Sequence, residues 1–432
     1  MARAQDTSPR SLLHRLVPPS RIRRQARRLG VFKRLRKIDP VDFLLTVVFS
    51  LGRRDGQSIA GLRRSFALNM GVRVARSSFW DRFTPSFERL LHWLVRRLED
   101  VAMKQEPHLP GPFAAFKDLV AVDATVVACK RARTPVIDGK KKSPPSVKVY
   151  TWIRALTGEL LGHRILAGKI NDVRAVLPEA WSEGVLYLFD MGFTSAYLWN
   201  RVQKDGAYFL TRLKSNIGPT ITMANRRYRR HRNPAGIRLR MMCRRLKRTL
   251  VDVQCRFDLR EPGEREVIGS VEFRVIAVWN IKERKHHFYV TNVPPCILRP
   301  DLVADGYRLR WEVETFYKVG KSGFGLGDIR ARRQHVIDAL IQAALIRASV
   351  AMQAMRYAES TIPKLRWLNL HLWSIVWREA VEKMVASLRT YMRTGLRTEV
   401  RWDWLAHLAI DPNRKRRPTR VRIRRMRAVR SR

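Results

Sequence analysis

Leu119-Val120-Ala121-Val122-Asp123-Ala124-Thr125-Val126-Val127 is a short, Val-rich run with one carboxylate at its centre. It is too short for an ordinary helix and rich in β-branched residues, so it predicts a buried strand. Upstream, three prolines between Pro107 and Pro112 mark a boundary. Downstream, a basic loop (Gly139 to Pro145) leads to two more strand patterns, Val147 to Ala155 and Leu160 to Leu166, with a turn at Thr157-Gly158. Asp172 is placed to cap a helix running to about Trp181. Val185 to Asp190 predicts a fourth strand, Thr194 to Lys204 a helix, and Ala207 to Leu213 a fifth strand. The first three strands are close enough to form an antiparallel meander, whereas the later β-α-β portion needs crossovers and hence parallel pairing.

The predicted fold class is α/β. This order is that of an RNase H-like core, a mixed sheet flanked by helices on both faces. The pattern is interrupted between Ser215 and Pro295, where a dense Arg block (Arg226 to Arg248) precedes alternating strand patterns. The expected organisation is a basic arm and helical DNA-binding region (1–112), the first part of the core (113–216), a β-rich insertion (217–296), the second part of the core (297–360), and a C-terminal helical region with a basic tail (361–432). In the first region, Ser58 to Leu62, Gly71 and a Ser-capped helix near Ser77 resemble a helix-turn-helix, with Arg73, Arg76 and Arg82 available to DNA. Trp367, Leu368, Trp373 and Trp377 near the C-terminus are candidates for an interface or for core.

The net charge is +49, from 86 Lys and Arg against 37 Asp and Glu. Self-repulsion of that size calls for a polyanionic partner, and nucleic acid comes first because phosphate neutralisation supplies much of its binding energy. In the stretch Arg414 to Arg432, eleven of nineteen residues are basic and none is acidic. The four cysteines show no C-x-x-C spacing, which fits reduced thiols in a cytosol. The apolar stretch Phe43 to Leu51 is too short to span a bilayer, and no longer one is expected after it. The expected location is therefore the cytoplasm, without a membrane partner.

Asp123 and Asp190 fall in strands that neighbour each other in the RNase H-like order, so their carboxylates can converge. A third acid lies in the helical pattern Tyr307 to Lys321. At about 100° per residue, Arg310, Glu314 and Lys321 fall within roughly 60° of Tyr307, while Leu309, Val313 and Phe316 fall on the opposite side. Glu312 falls off the stripe, so Glu314 is the better candidate. A solvated face with an Arg310–Glu314 ion pair would have the same spacing.

The motifs together resemble those of DDE transposases of the insertion-sequence-4 type. Tyr307, Arg310, Glu314 and Lys321 match the signature Y-(2)-R-(3)-E-(6)-K at all four positions. Asp190-Met191-Gly192-Phe193 looks like the second acid motif and Val122-Asp123-Ala124-Thr125 like the first. The Arg block is more basic than the family pattern. The resemblance implies that Asp123, Asp190 and Glu314 are catalytic and hold two Mg²⁺ ions, with Mn²⁺ as a substitute. It implies phosphate contacts for Tyr307, Arg310 and Lys321, joined by Lys318 on the same helix. The partner would be double-stranded DNA, the terminal inverted repeats and the target, bound by a homodimer. Some members use a DNA hairpin route, for which Trp279 is a candidate base-stacking residue. The residues alone leave open a relative that binds DNA without cutting it, and a nuclease on the same fold.

Overall fold

The computed structural model describes residues 18–32, 38–51, 58–105, 107, 109–129, 145–214, 216–226, 234–246, 248–327, 329–362, 368–394 and 401–410. The basic tail, Trp367, all of the Gly139–Pro145 loop but its last residue, and parts of the N-terminal arm and Arg block lie outside these residues.

Nine strands form one sheet: β1 (Asp118–Ala128), β2 (Ser146–Arg154), β3 (Leu160–Ala167), β4 (Val185–Phe189), β5 (Tyr208–Arg212), β6 (Thr220–Ala224), β7 (Val251–Leu259), β8 (Gly269–Asn280) and β9 (Lys285–Thr291). Their spatial order is β3-β2-β1-β4-β5-β9-β8-β7-β6. The meander β1–β2–β3 is antiparallel, and β4 and β5 follow parallel to β1. That is the RNase H-like order expected from the sequence. The strands of the insertion do not form a sheet of their own. β9 pairs antiparallel with β5, so β6 to β9 extend the core sheet.

Along β1 the side chains alternate between two apolar cores, as the pleat requires. Leu119 and Ala121 enter the core on one face, and Val120 and Val122 the core on the other. The second face is covered by α6 (Asp172–Val176), α7 (Ala196–Lys204) and α8 (Leu239–Arg245), all shorter than or equal to nine residues. The first is covered by longer helices. On the N-terminal side these are α1 (Pro19–Arg28), α2 (Pro40–Ser50), α3 (Ile59–Met70), α4 (Arg76–Trp80) and α5 (Pro85–Met103). On the C-terminal side they are α9 (Val303–Arg308), α10 (Trp311–Gly323), α11 (Gln334–Thr361), α12 (Leu370–Thr394) and α13 (Trp402–Leu408).

Several expectations need correction. α6 ends at Val176 rather than near Trp181, and its cap is Asn171, whose side chain accepts from Val173 N and Arg174 N. The helix-turn-helix is incomplete. Ser58 caps α3, and Gly71 ends it in the left-handed conformation at φ 64°. α4, however, has only five residues and starts after Ala75 with no side-chain cap. The chain then turns into α5, which Thr84 caps by accepting from Phe87 N. Such a helix is barely more than one turn, too short to lie along a major groove. Trp373 and Trp377 are core residues, 0% and 1% exposed, so they supply no outward interface. A longer apolar stretch does exist: α11 is long and apolar enough to cross a membrane, but 89% of its apolar window is buried in the protein. It is the central core helix, packed against α5, α13, α2 and α10.

The insertion is tied to the following segment by a buried charge. Arg274 on β8 donates to both carboxylate oxygens of Asp252 on β7, at 2.9 and 2.7 Å. It also donates to the carbonyls of Val293 and Leu298, at 3.0 and 2.8 Å. Arg274 and Asp252 are 2% and 3% exposed, so neither can turn to water for compensation. Arg274→Met is expected to destabilise the protein by about 3–5 kcal/mol, because it strands a buried carboxylate and two carbonyls. Denaturant unfolding followed by circular dichroism reads the shift.

Candidate active site

Val122 pairs with Phe189 in the parallel ladder between β1 and β4. Asp123 and Asp190 are the next residues on each chain, so the register sets them side by side on strands about 4.8 Å apart. β4 ends there because Asp190 caps a 3₁₀ turn, Met191–Phe193, with Oδ2 accepting from Gly192 N at 3.2 Å. A Cβ at 192 would lie 3.0 Å from Asp172 Oδ2, so a larger residue there would push that carboxylate aside. Asp172 is itself held by Lys148 Nζ at 2.8 Å and Tyr150 OH at 3.0 Å.

The third acid arrives on α10. The expected single helix from Tyr307 to Lys321 is two helices, α9 and α10, with a break at Leu309 and Arg310. Across the joint the backbone bonds run i→i−3, from Arg310 N to Tyr307 O and from Val313 N to Arg310 O. Such 3₁₀ turns eclipse residues three apart. This stacks Arg310 on Tyr307, with Cζ 5.5 Å from the ring centroid. Leu309, Val313 and Phe316 face the core as expected. Glu312 lies behind the site, 3.4 Å from Arg356 Nη2, whereas Glu314 faces the strand ends.

All three acids converge on Arg310. Its Nη1 lies 3.6 Å from Asp123 Oδ2 and 3.6 Å from Asp190 Oδ1, and its Nη2 bonds Glu314 Oε1. Arg310 is 5% exposed, and its Nε and Nη1 are buried without a hydrogen-bond partner. Burial works against its charge, but Tyr307, Asp190 and Glu314 outweigh that and keep it protonated. Among the described residues no three of His, Cys, Asp and Glu lie close enough together to share one ion directly. Three hard carboxylates around an under-bonded guanidinium nonetheless have the donor chemistry that a Mg²⁺-type cation requires.

The electrostatics are not uniform. Burial pushes the Asp123 carboxyl up to about 7, against the opposing pull of the Ala124 N–H and Arg310. Tyr307 is buried and pushed up to about 12, so it stays a neutral phenol. Lys318 and Lys321 are exposed along α10, and partial burial lowers the Lys321 ammonium below its ordinary value. Trp311, 60% exposed, opens on the same helix. Arg73 and Arg76 are exposed, but Arg82 is half-buried with its guanidinium 5.1 Å from the Phe32 ring centroid. Arg82 therefore braces α1 against α4, and reaching DNA would require it to leave that ring.

Trp279 is half-buried on β8, edge-to-face with His286 at 5.1 Å. It lines a cavity of about 510 Å³ with Met191, Arg212, Arg240, Arg284 and Lys285. Met191 directly follows Asp190, so the cavity opens beside the acids. The sequence reading did not single out this cationic lining, because the residues come from four separate segments. It also missed Tyr317, which was counted among neither the stripe nor the core face.

A sheet of this order, with carboxylates meeting at the ends of two neighbouring strands, has the RNase H-like architecture. Residues 114–348, more than half of the chain, match the family described as "Transposase DDE domain", and the chain belongs to that family. It is similar to the transposase for insertion sequence element IS231D of Bacillus thuringiensis subsp. finitimus, 21% identical over 400 residues, covering 83% of this chain and 80% of that one. It is likewise similar to the transposase for IS231B of Bacillus thuringiensis subsp. berliner, 20% identical over 398 residues at the same coverage. The solved piggyBac transposase synaptic complex with hairpin DNA aligns over 93% of this chain and 84% of that one, at 14% identity and a TM-score of 0.46. The protein is thus a DDE-type DNA transposase, an enzyme of DNA cleavage and strand transfer. DNA is its partner, and its family works with divalent metal ions.

The raised Asp123 carboxyl has a consequence for stability. With a folded value near 7 against 3.8 unfolded, the native state binds the extra proton between those limits. Its contribution to stability is therefore present below about pH 4 and is lost as pH rises through 7. In EDTA, Asp123→Asn is expected to be more stable than the wild type at pH 8, with the gap closing towards pH 4. Urea unfolding at the two pH values measures it.

Proposed function

We propose that Asp123, Asp190 and Glu314 are the catalytic acids and hold two Mg²⁺ ions, with Mn²⁺ able to substitute. The convergence of the three carboxylates on Arg310 supports this reading above all. When bound, such an ion pair supplies an activated oxygen nucleophile, in-line geometry and charge relief at the leaving oxygen. The residues of the chain do the positioning. Asp123, the most buried of the three acids, would be the shared ligand, with Asp190 on one ion and Glu314 on the other. Arg310 offsets part of the charge of the three acids and is placed to donate to a phosphate oxygen brought among them. Tyr307 backs Arg310 and fixes its height. Lys318 and Lys321 contact phosphates further along the duplex, and Arg73 and Arg76 do so from the helical region.

The substrate is double-stranded DNA carrying the terminal inverted repeats of an insertion sequence, and target DNA receives the freed 3′ ends. Both ends must be held together before joining, so the acting species is a homodimer on DNA, in the bacterial cytoplasm at the nucleoid. A hairpin route would place a flipped base in the cavity beside Met191, against Trp279, with Arg212 and Arg240 facing its phosphate.

Strand breaks mapped on a fragment spanning the gene and its flanks test the acids. Breaks at two inverted ends are expected with Mg²⁺ or Mn²⁺ and are lost in EDTA or with Glu314→Gln. End binding without any metal-dependent break would favour a transposase relative that only binds, and breaks without joining in a strand-transfer assay would favour a nuclease. Trp279→Ala is expected to cost about 1–3 kcal/mol of stacking, slowing second-strand cleavage while first-strand nicking proceeds. Unchanged second-strand kinetics would remove Trp279 from the reaction.

A further inference from the structure

Tyr317 lies three residues after Glu314 on α10, so the two side chains are neighbours on the helix surface. Glu314 faces the other acids, while Tyr317 reaches down into the sheet and is 5% exposed. Its hydroxyl accepts from Thr151 Oγ1 at 2.8 Å. Its single proton is shared between two carbonyls, those of Asp123 at 2.9 Å and Val149 at 3.0 Å. Asp123 and Thr151 are direct partners in the β1–β2 ladder, so two of the three atoms around this hydroxyl belong to one rung, and the third belongs to Val149, two residues along β2.

We propose that Tyr317 is a positioning residue for the metal site: its hydroxyl ties the helix that carries Glu314 to the backbone of Asp123 and thereby sets the spacing of the first and third acids. This rests on the reading of those acids as metal ligands. The bond leads from the helix to the carbonyl of the very residue whose carboxylate faces Glu314. Apolar packing alone holds a helix on a sheet but tolerates sliding, because dispersion contacts are non-directional. A buried hydrogen bond has a direction and a length, and all the more so when one oxygen serves three partners. Phe316 and Val313 hold α10 down through the core, and Tyr317 sets where along β1 it stops.

Tyr317→Phe keeps the ring and removes only the oxygen, which separates positioning from packing. In the full-length protein without DNA, Mn²⁺ binding followed by electron paramagnetic resonance is expected to weaken roughly 10- to 100-fold, the usual cost of losing a residue that orients a ligand. Binding to inverted-repeat duplex in EDTA should be unchanged, and cleavage should recover in part at raised Mn²⁺. A folded Tyr317→Phe protein with wild-type Mn²⁺ binding and wild-type metal dependence of cleavage would overturn the proposal, whatever its melting temperature. Should Tyr317→Phe not fold, 4-fluorophenylalanine at position 317 replaces it, keeping the size of the hydroxyl without its proton: weakened Mn²⁺ binding sustains the proposal and unchanged binding overturns it. Glu314→Gln run alongside isolates the underlying reading, because wild-type Mn²⁺ binding and cleavage there would discard the acids themselves rather than Tyr317.

Discussion

The parallel ladder between β1 and β4 carries Val122 opposite Phe189, and the two aspartates follow as the next residue on each strand. Side chains alternate along a strand with a period of two, so a slip of one residue would send Asp123 to the opposite face. The register is held by apolar burial on both faces: Leu119 and Ala121 in one core, Val120 and Val122 in the other. A strand buried on both sides cannot slip without turning its whole apolar set, and this rigidity places a buried carboxylate where its desolvation can be tolerated. Beyond β5 the sheet continues into the insertion through β9, so the same hydrogen-bonded layer that positions the acids also carries the cationic cavity beside them.

Charge is handled differently at the surface and in the interior. The net charge is +49, and among the described residues most basic side chains face water, where screening makes each worth little to stability and useful to a phosphate backbone. Inside, two buried arginines are fully engaged. Arg154 joins Asp118, Glu159 and two carbonyls at the C-terminus of α5, and Arg274 joins Asp252 and two carbonyls at the exit from the insertion. Arg310 differs in that its Nη1 and Nε lack hydrogen-bond partners although three carboxylates surround it. A guanidinium left under-bonded in a buried site is costly to keep. At a functional site that cost is the counterpart of donors kept ready for a ligand.

Much of this was legible from residue order. Apolar runs bounded by Gly-containing turns located the five core strands, and the lengths of the connections between them gave their pairing sense. The three candidate acids stood out because carboxylates are scarce in this chain, two of them lie in or end apolar strands, and all three fall in motifs resembling those of the family. Glu314 separated from Glu312 by helical angle alone, and the structure sends Glu312 to Arg356. The short elements were less legible. α4 and α6 are five residues each, where capping and propensity are overridden by the packing of neighbouring segments, as with Arg82 against Phe32. The Trp pair at 373 and 377 could not be assigned to core or interface from spacing, since both uses place aromatics at helical intervals.

The amino-acid sequence by itself determined the class of fold, the candidate acids and the polyanionic character of the partner, because periodicity, motif spacing and net charge are properties of the chain in order. Only the tertiary structure decided that the insertion joins the core sheet, that the Tyr307–Lys321 segment breaks into two helices, that Arg310 lies among all three acids, and that Tyr317 reaches the carbonyl of Asp123. Each of these depends on contacts between segments far apart in the chain, the last across 194 residues. Local pattern carries no information about which distant carbonyl a buried hydroxyl will meet. That is set by the register of the strands and the depth at which the helix settles on them.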